Sequence, residues 1–234
     1  MKNWIKKEIQ KESVIELTKK YSIDPLTASI LTRRGITEGS DILYFLEDDL
    51  RFLHNPFLFN QMEDAVDRIL DAKDEGEKVL IFGDCDVDGI TSTTILYEYL
   101  KSLGIDVQFR VPEGDETYGM NKDAVDEFAK NYGTLIITVD CGISNHQEIK
   151  YASELGIDVI VTDHHNVPEV IPDPAIIVNP KLDDSNYPFK EISGCAVAFK
   201  LIEALRFAQT EIYKQDICLL SAVENENSWK IECL

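Results

Sequence analysis

The sequence predicts an α/β fold: a parallel five-stranded sheet flanked by helices, with a short helical lead-in at the N-terminus. Three observations carry that prediction. Apolar runs of four or five residues alternate with amphipathic stretches of helical length. The runs are apolar at consecutive positions, which marks strands covered on both faces. Glycines stand where the amphipathic stretches stop, as Gly76 and Gly104 do.

Residues 1–60 read as the helical lead-in, with Val14, Leu17, Ile23, Leu26, Ile30 and Leu31 at roughly helical spacing. Asp24-Pro25 has the form of a helix cap followed by a first-turn proline, and Pro56 breaks the pattern. Residues 61–208 form the main domain. Its expected order is helix Met62–Glu75, strand Val79–Phe82, helix Thr91–Leu103, strand Val107–Val111 and helix Lys122–Tyr132. Strand Leu135–Val139, helix Asn145–Leu155, strands Val159–Val161 and Ala175–Val178 and helix Cys195–Phe207 complete it. Residues 209–234 are expected to be a divergent or truncated tail.

Bulk properties narrow the function classes. The chain is 44% apolar and 28% charged, with 12 Gly and 8 Pro, the proportions of an ordinary globular protein. No apolar run approaches the 18 residues of a membrane span, and Met1–Glu8 lacks the apolar centre of a signal peptide. The expected location is the cytoplasm, with no membrane partner. The five cysteines, at 85, 141, 195, 218 and 233, are odd in number and contain no C-x-x-C pair. That argues against a disulfide framework and a zinc knuckle. The net charge of −20 opposes polynucleotide binding, which usually depends on Lys and Arg neutralising phosphates.

Ligands of a parallel sheet gather in the loops after the strand C-termini. The first such loop reads Gly83-Asp84-Cys85-Asp86-Val87-Asp88-Gly89-Ile90-Thr91-Ser92. If it is extended, Asp84, Asp86 and Asp88 point the same way and call for a cation. One aspartate would serve as a helix cap; three at strict alternation exceed that need. The calcium-loop pattern fits poorly, because the glutamate expected at its twelfth position is absent. After the third strand comes Asp140, which alone reads equally well as a turn residue. After the fourth comes Asp163-His164-His165, two of the four histidines side by side behind an aspartate. Imidazole broadens the metal choice toward manganese, cobalt or zinc. His54 and His146 lack comparable neighbours and read as structural. Together the loops carry enough donors for two adjacent cations, the arrangement that hydrolyses phosphate esters or anhydrides.

Asp163-His164-His165 is the motif for which DHH phosphoesterases are named, and Gly83–Ser92 resembles their first motif as it stands in the RecJ exonucleases. The similarity extends to Ile30-Leu-Thr-Arg-Arg-Gly-Ile36, Leu53-His-Asn-Pro-Phe-Leu58, Val178-Asn-Pro-Lys181, Tyr187–Gly194 and Val197–Leu201, covering roughly residues 25–208. The resemblance implies a 5′-to-3′ single-strand DNA exonuclease using two Mn2+ or Mg2+ ions. It implies Asp84, Asp86, Asp88, Asp140, His164 and His165 as metal ligands, with Asp140 bridging. It gives His165 a ligand or phosphate-contact role at the chemical step and makes Asp163 the residue that orients the pair.

Three departures qualify this. A loose alignment puts Asn225 where the family has another metal-binding aspartate, so one cation is expected to bind weakly or be lost. The segment Pro112–Gly119 is acidic and lacks the arginine usual after the second strand. The chain stops before the DHH-associated domain and oligonucleotide-binding fold, so missing C-terminal domains or a single-strand-binding protein are expected partners. The alternatives are a DHH hydrolase of short oligonucleotides, cyclic dinucleotides or pyrophosphate, and a non-catalytic RecJ-like scaffold.

Overall fold

The computed structural model describes residues 8–112, 114, 116, 119–213, 215, 220–225 and 228–233, the last two stretches as backbone only. The chain divides into two compact units, Met1–His54 and Asn55–Leu234.

In the first unit, α1 (Lys11–Tyr21), α2 (Pro25–Arg34) and α3 (Gly39–Leu46) enclose a small core of Leu17, Ala28 and Ile42, lined by Val14, Tyr21, Ile23 and Ile36. Asp24 caps α2 as its sequence signal predicts: its Oδ1 accepts from the Leu26 and Thr27 amides at 2.9 and 3.1 Å, and Pro25 occupies the first turn. Gly35 ends the helix at φ 79°, the left-handed conformation that glycine adopts without a Cβ penalty. The expected apolar stripe is only partly inward. Leu31 is buried, but Leu26 and Ile30 face outward.

The second unit holds the sheet. Its elements are α4 (Met62–Glu75), β1 (Lys78–Gly83), α5 (Val87–Ser102), β2 (Asp106–Arg110), α6 (Lys122–Lys130) and β3 (Leu135–Val139). Then come α7 (His146–Glu154), β4 (Asp158–Thr162), β5 (Ile176–Val178) and α8 (Gly194–Ala208). The strands are all parallel in the order β2-β1-β3-β4-β5, the predicted five-stranded sheet. Alternate strand residues feed two cores, as the pleat requires. Val79, Ile81, Leu135, Ile137, Val139 and Ile160 join α4, α5 and α8 on one face. Leu80, Phe82, Ile136, Val159 and Val161 meet α6 and α7 on the other. No helix among the described residues is long and apolar enough to cross a membrane. In the tail the backbone forms an antiparallel pair, β6 (Leu220–Asn225) with β7 (Ser228–Cys233).

One element differs from the sequence expectation in a way that reshapes the site. Helix α5 starts at Val87, four residues before Thr91, so the acidic loop is not extended throughout. Asp86 is its N-cap, accepting the Gly89 amide at 2.9 Å, and Asp88 lies in its first turn. Gly89 makes the early start feasible, because a Cβ there would come within 2.5 Å of the Asp84 carbonyl oxygen. Thr91 and Ser92, weak helix formers, send their hydroxyls to the Val87 and Asp88 carbonyls at 2.7 and 2.6 Å.

Candidate metal centre

The sheet order reverses between β1 and β3, and at that switch the C-terminal ends of neighbouring strands open a crevice. Gly83 and Val139 are register partners there, so the residues that follow them, Asp84 and Asp140, emerge side by side. Asp163 and His164 follow β4, the next strand across. Topology alone thus brings together three loops that are far apart in sequence.

Two groups of donor atoms result, each with all its ligand atoms within 4.8 Å: Asp84, Asp86 and Asp140, and Asp140, His164 and His165. Asp140 belongs to both. It is 1% exposed and its backbone sits at φ 58°, a left-handed conformation that aspartate tolerates better than most residues. The strand end holds it there, with the Asp140 amide donating to the Thr162 carbonyl at 3.0 Å and the Thr138 hydroxyl to the Cys141 carbonyl at 2.9 Å. Burial, reinforced by the charges of Asp88, Asp86 and Asp163, pushes its carboxyl up to about 8. Asp86 moves the other way, held below the usual carboxylate range chiefly by the Gly89 amide.

The two histidines differ in setting. His164 Nε2 lies 3.1 Å from Asp140 Oδ1 and 3.8 Å from Asp88 Oδ2. His165 turns Nδ1 to Asp163 Oδ1 at 2.7 Å. Asp163 is fully buried and also accepts the amides of Ile143, His164 and His165 at 3.0, 2.7 and 3.0 Å. A carboxylate can only accept, so His165 donates from Nδ1.

Asp88 departs from the expected cluster. Its carboxylate turns to the start of α8, taking the amides of Gly194 on Oδ2 and Cys195 on Oδ1, both at 2.7 Å. It therefore joins neither donor group, although it stays beside His164. Nor do His54 and His146 join them: His54 stacks on Tyr44 at 4.7 Å, and His146 opens α7. The Asn225 side chain, most of the acidic segment at 113–118 and the polar N-terminal residues 1–7 lie outside what the structure describes.

Two participants escaped the sequence reading. Buried Asn179 donates its amide to the His165 carbonyl at 3.1 Å, fixing the loop that carries the histidines. Gly194 sits directly against Asp140. Both are at strand or helix ends with no local signal; only the quoted segments Val178–Lys181 and Tyr187–Gly194 hinted at them. A recess of about 170 Å3 is bounded by Gly142, Ile143, Ser144, Asp163 and His165. A larger one of about 410 Å3, between β2 and α6, contains none of the clustered residues.

Comparison with known families settles the lineage. Residues 78–223 match the model of the DHH family, N-terminal domain. The chain belongs to the DHH family. Within it, the chain is 42% identical over 202 residues to the single-stranded-DNA-specific exonuclease RecJ of Bacillus subtilis, covering 85% of this chain and 26% of that protein. The Escherichia coli RecJ is 36% identical over 186 residues, covering 79% and 32%. The chain thus spans between a quarter and a third of these relatives. Among solved DHH structures, exonuclease RecJ bound to manganese superposes with a TM-score of 0.60 and 36% identity, over 66% of this chain and 40% of that one. RecJ of Thermus thermophilus with Mn2+ gives 0.63 and 30%, over 84% and 27%. The same protein with Mg2+ gives 0.51 and 26%, over 84% and 23%.

Proposed function

We propose that this chain forms the catalytic centre of a RecJ-like, metal-dependent exonuclease acting on single-stranded DNA from the 5′ end in the cytoplasm. The observation that carries the reading is the pair of donor groups joined at Asp140. Asp84, Asp86, Asp140, His164 and His165 would hold two Mn2+ or Mg2+ ions, with Asp88 beside them. The residues fit that cargo. Their donors are carboxylate oxygens and imidazole nitrogens, and the buried, crowded Asp140 carboxyl stands at about 8 in the absence of a cation. When bound, such ions neutralise charge on a phosphodiester and make water a better nucleophile.

The chain's own groups account for the rest. Asp163 holds His165 through Nδ1, so Nε2 is the ring atom that would ligate a cation. Asn179 and the Asp163-bound amides keep both histidines from drifting. Residues 1–54 carry nine basic and nine acidic residues, so the entire net charge of −20 falls on the unit that holds the site. A polyanion would approach that unit only with its charge offset by cations or by basic surface supplied from elsewhere, such as further domains or a single-strand-binding protein. The same acidity favours a second reading, hydrolysis of short oligonucleotides or cyclic dinucleotides.

The test is cleavage of a 5′-phosphorylated single strand, its duplex and a cyclic dinucleotide, with Mn2+ or with chelator. The first reading predicts Mn2+-dependent release of mononucleotides from the single strand, lost in His164→Ala and Asp86→Ala. Turnover of the cyclic dinucleotide alone would favour the second. Cleavage surviving both substitutions would place the chemistry elsewhere.

A further inference from the structure

The start of α8 touches two members of the acidic cluster at once, and nothing in the sequence motifs assigns it a role there. Gly194 and Cys195 are the first two residues of this 15-residue helix. First-turn amides have no partner within a helix and carry its positive end. Here both are spent on one carboxylate, that of Asp88, which is 106 and 107 residues away in sequence. Ser193 caps the same turn through the Ala196 amide at 3.3 Å. On its other side Gly194 faces Asp140. A Cβ at 194 would lie 2.2 Å from Asp140 Oδ1, 2.6 Å from Cγ and 2.8 Å from Cβ. Gly194 is not among the glycines of positive φ, so its backbone would accept any L-residue. The demand for glycine is therefore one of space.

Neither neighbour can easily give way. Asp140 is fixed in a left-handed conformation between β3 and Gly142. Asp88 is built into the first turn of α5, whose start is itself fixed by the Asp86 cap. The helix start is wedged between them.

We infer that Gly194 and Cys195 are positioning residues: the N-terminus of α8 clamps the Asp88 carboxylate through two amides and, by lacking a side chain at 194, sets how close Asp140 comes to it. The clamp keeps the Asp88 carboxylate 3.8 Å from His164 Nε2, with Asp140 3.1 Å from the same atom, and brings the positive end of a helix to the acidic cluster. The consequence for ion binding rests on the metal-centre reading above; the clamp itself does not.

Amide exchange in the metal-free protein tests the clamp directly. Gly194 and Cys195 amides exchange at least ~10-fold more slowly than the first-turn amides of α6, at Lys122 and Asp123, and Asp88→Ala removes that protection. Equal exchange at both helix starts, or protection that survives Asp88→Ala, overturns the clamp. Spacing is tested by calorimetric Mn2+ titration of Gly194→Ala beside Phe199→Ala, on the exposed side of the same helix. Gly194→Ala keeps its helical circular dichroism yet binds Mn2+ at least ~10-fold more weakly than wild type, a loss of ~1.4 kcal/mol, while Phe199→Ala stays within ~2-fold. Wild-type affinity in Gly194→Ala overturns the spacing role. Wild-type protein that binds no Mn2+ refutes the metal reading instead, and amide exchange still decides the clamp.

Discussion

Replacing Asp140 by asparagine separates the strain that the site places on the fold from the chemistry it serves. Asparagine keeps the shape beside Gly194 and accepts the φ of 58°, but removes the buried charge. The Asp140 carboxyl goes from 3.8 in the unfolded chain to about 8 in the folded one. Between those values the folded chain holds a proton that the unfolded chain has released. Proton linkage then makes metal-free wild type less stable as pH rises through the window, with the full penalty present above 8. Roughly three pH units of that window lie between pH 5 and pH 8, which at ~1.4 kcal/mol each sets a ceiling near ~4 kcal/mol. Spreading of the carboxylates or entry of water lowers that ceiling. Urea unfolding with excess chelator, followed by circular dichroism at pH 5 and pH 9, measures the difference. The stability advantage of Asp140→Asn over wild type is expected to grow by at least ~1 kcal/mol between the two pH values. A constant or shrinking difference would refute the view of Asp140 as a carboxyl crowded into partial protonation.

Two further substitutions probe the supports around the centre. Asp163→Ala leaves the Ile143, His164 and His165 amides and His165 Nδ1 without their acceptor, and urea unfolding should show a loss of ~3 kcal/mol or more. A loss below ~1 kcal/mol would mean that solvent replaces Asp163 readily. Asp24→Ala removes the α2 cap and should destabilise the first unit by ~1 kcal/mol while leaving Mn2+ affinity unchanged, because no residue of that unit belongs to either donor group.

The sheet was legible because its strands are buried on both faces, so Val79–Phe82 and Leu135–Ile137 appear as uninterrupted apolar text. The centre was legible because strand ends gather ligands and three of those ends carry Asp or His. The acidic loop was misjudged at its far end. Gly89, Thr91 and Ser92 are poor helix formers, and the cap that starts α5 early is one of the aspartates that also looked like a ligand. Asp88 facing α8, Asn179 under His165 and Gly194 against Asp140 were not legible, since each acts through a partner that tertiary packing alone supplies. The inward stripe expected for the lead-in failed at Leu26 and Ile30, where short helices bury only part of their apolar text.

The most direct test of the metal centre is the stoichiometry of Mn2+ binding to the metal-free chain by calorimetry. Two ions per chain are expected, one of them weakly held because Asn225 stands in for an aspartate, and Asp140→Asn should weaken both, since the residue belongs to both donor groups. Absence of binding, or two ions held as tightly by Asp140→Asn as by wild type, would contradict a centre organised around Asp140.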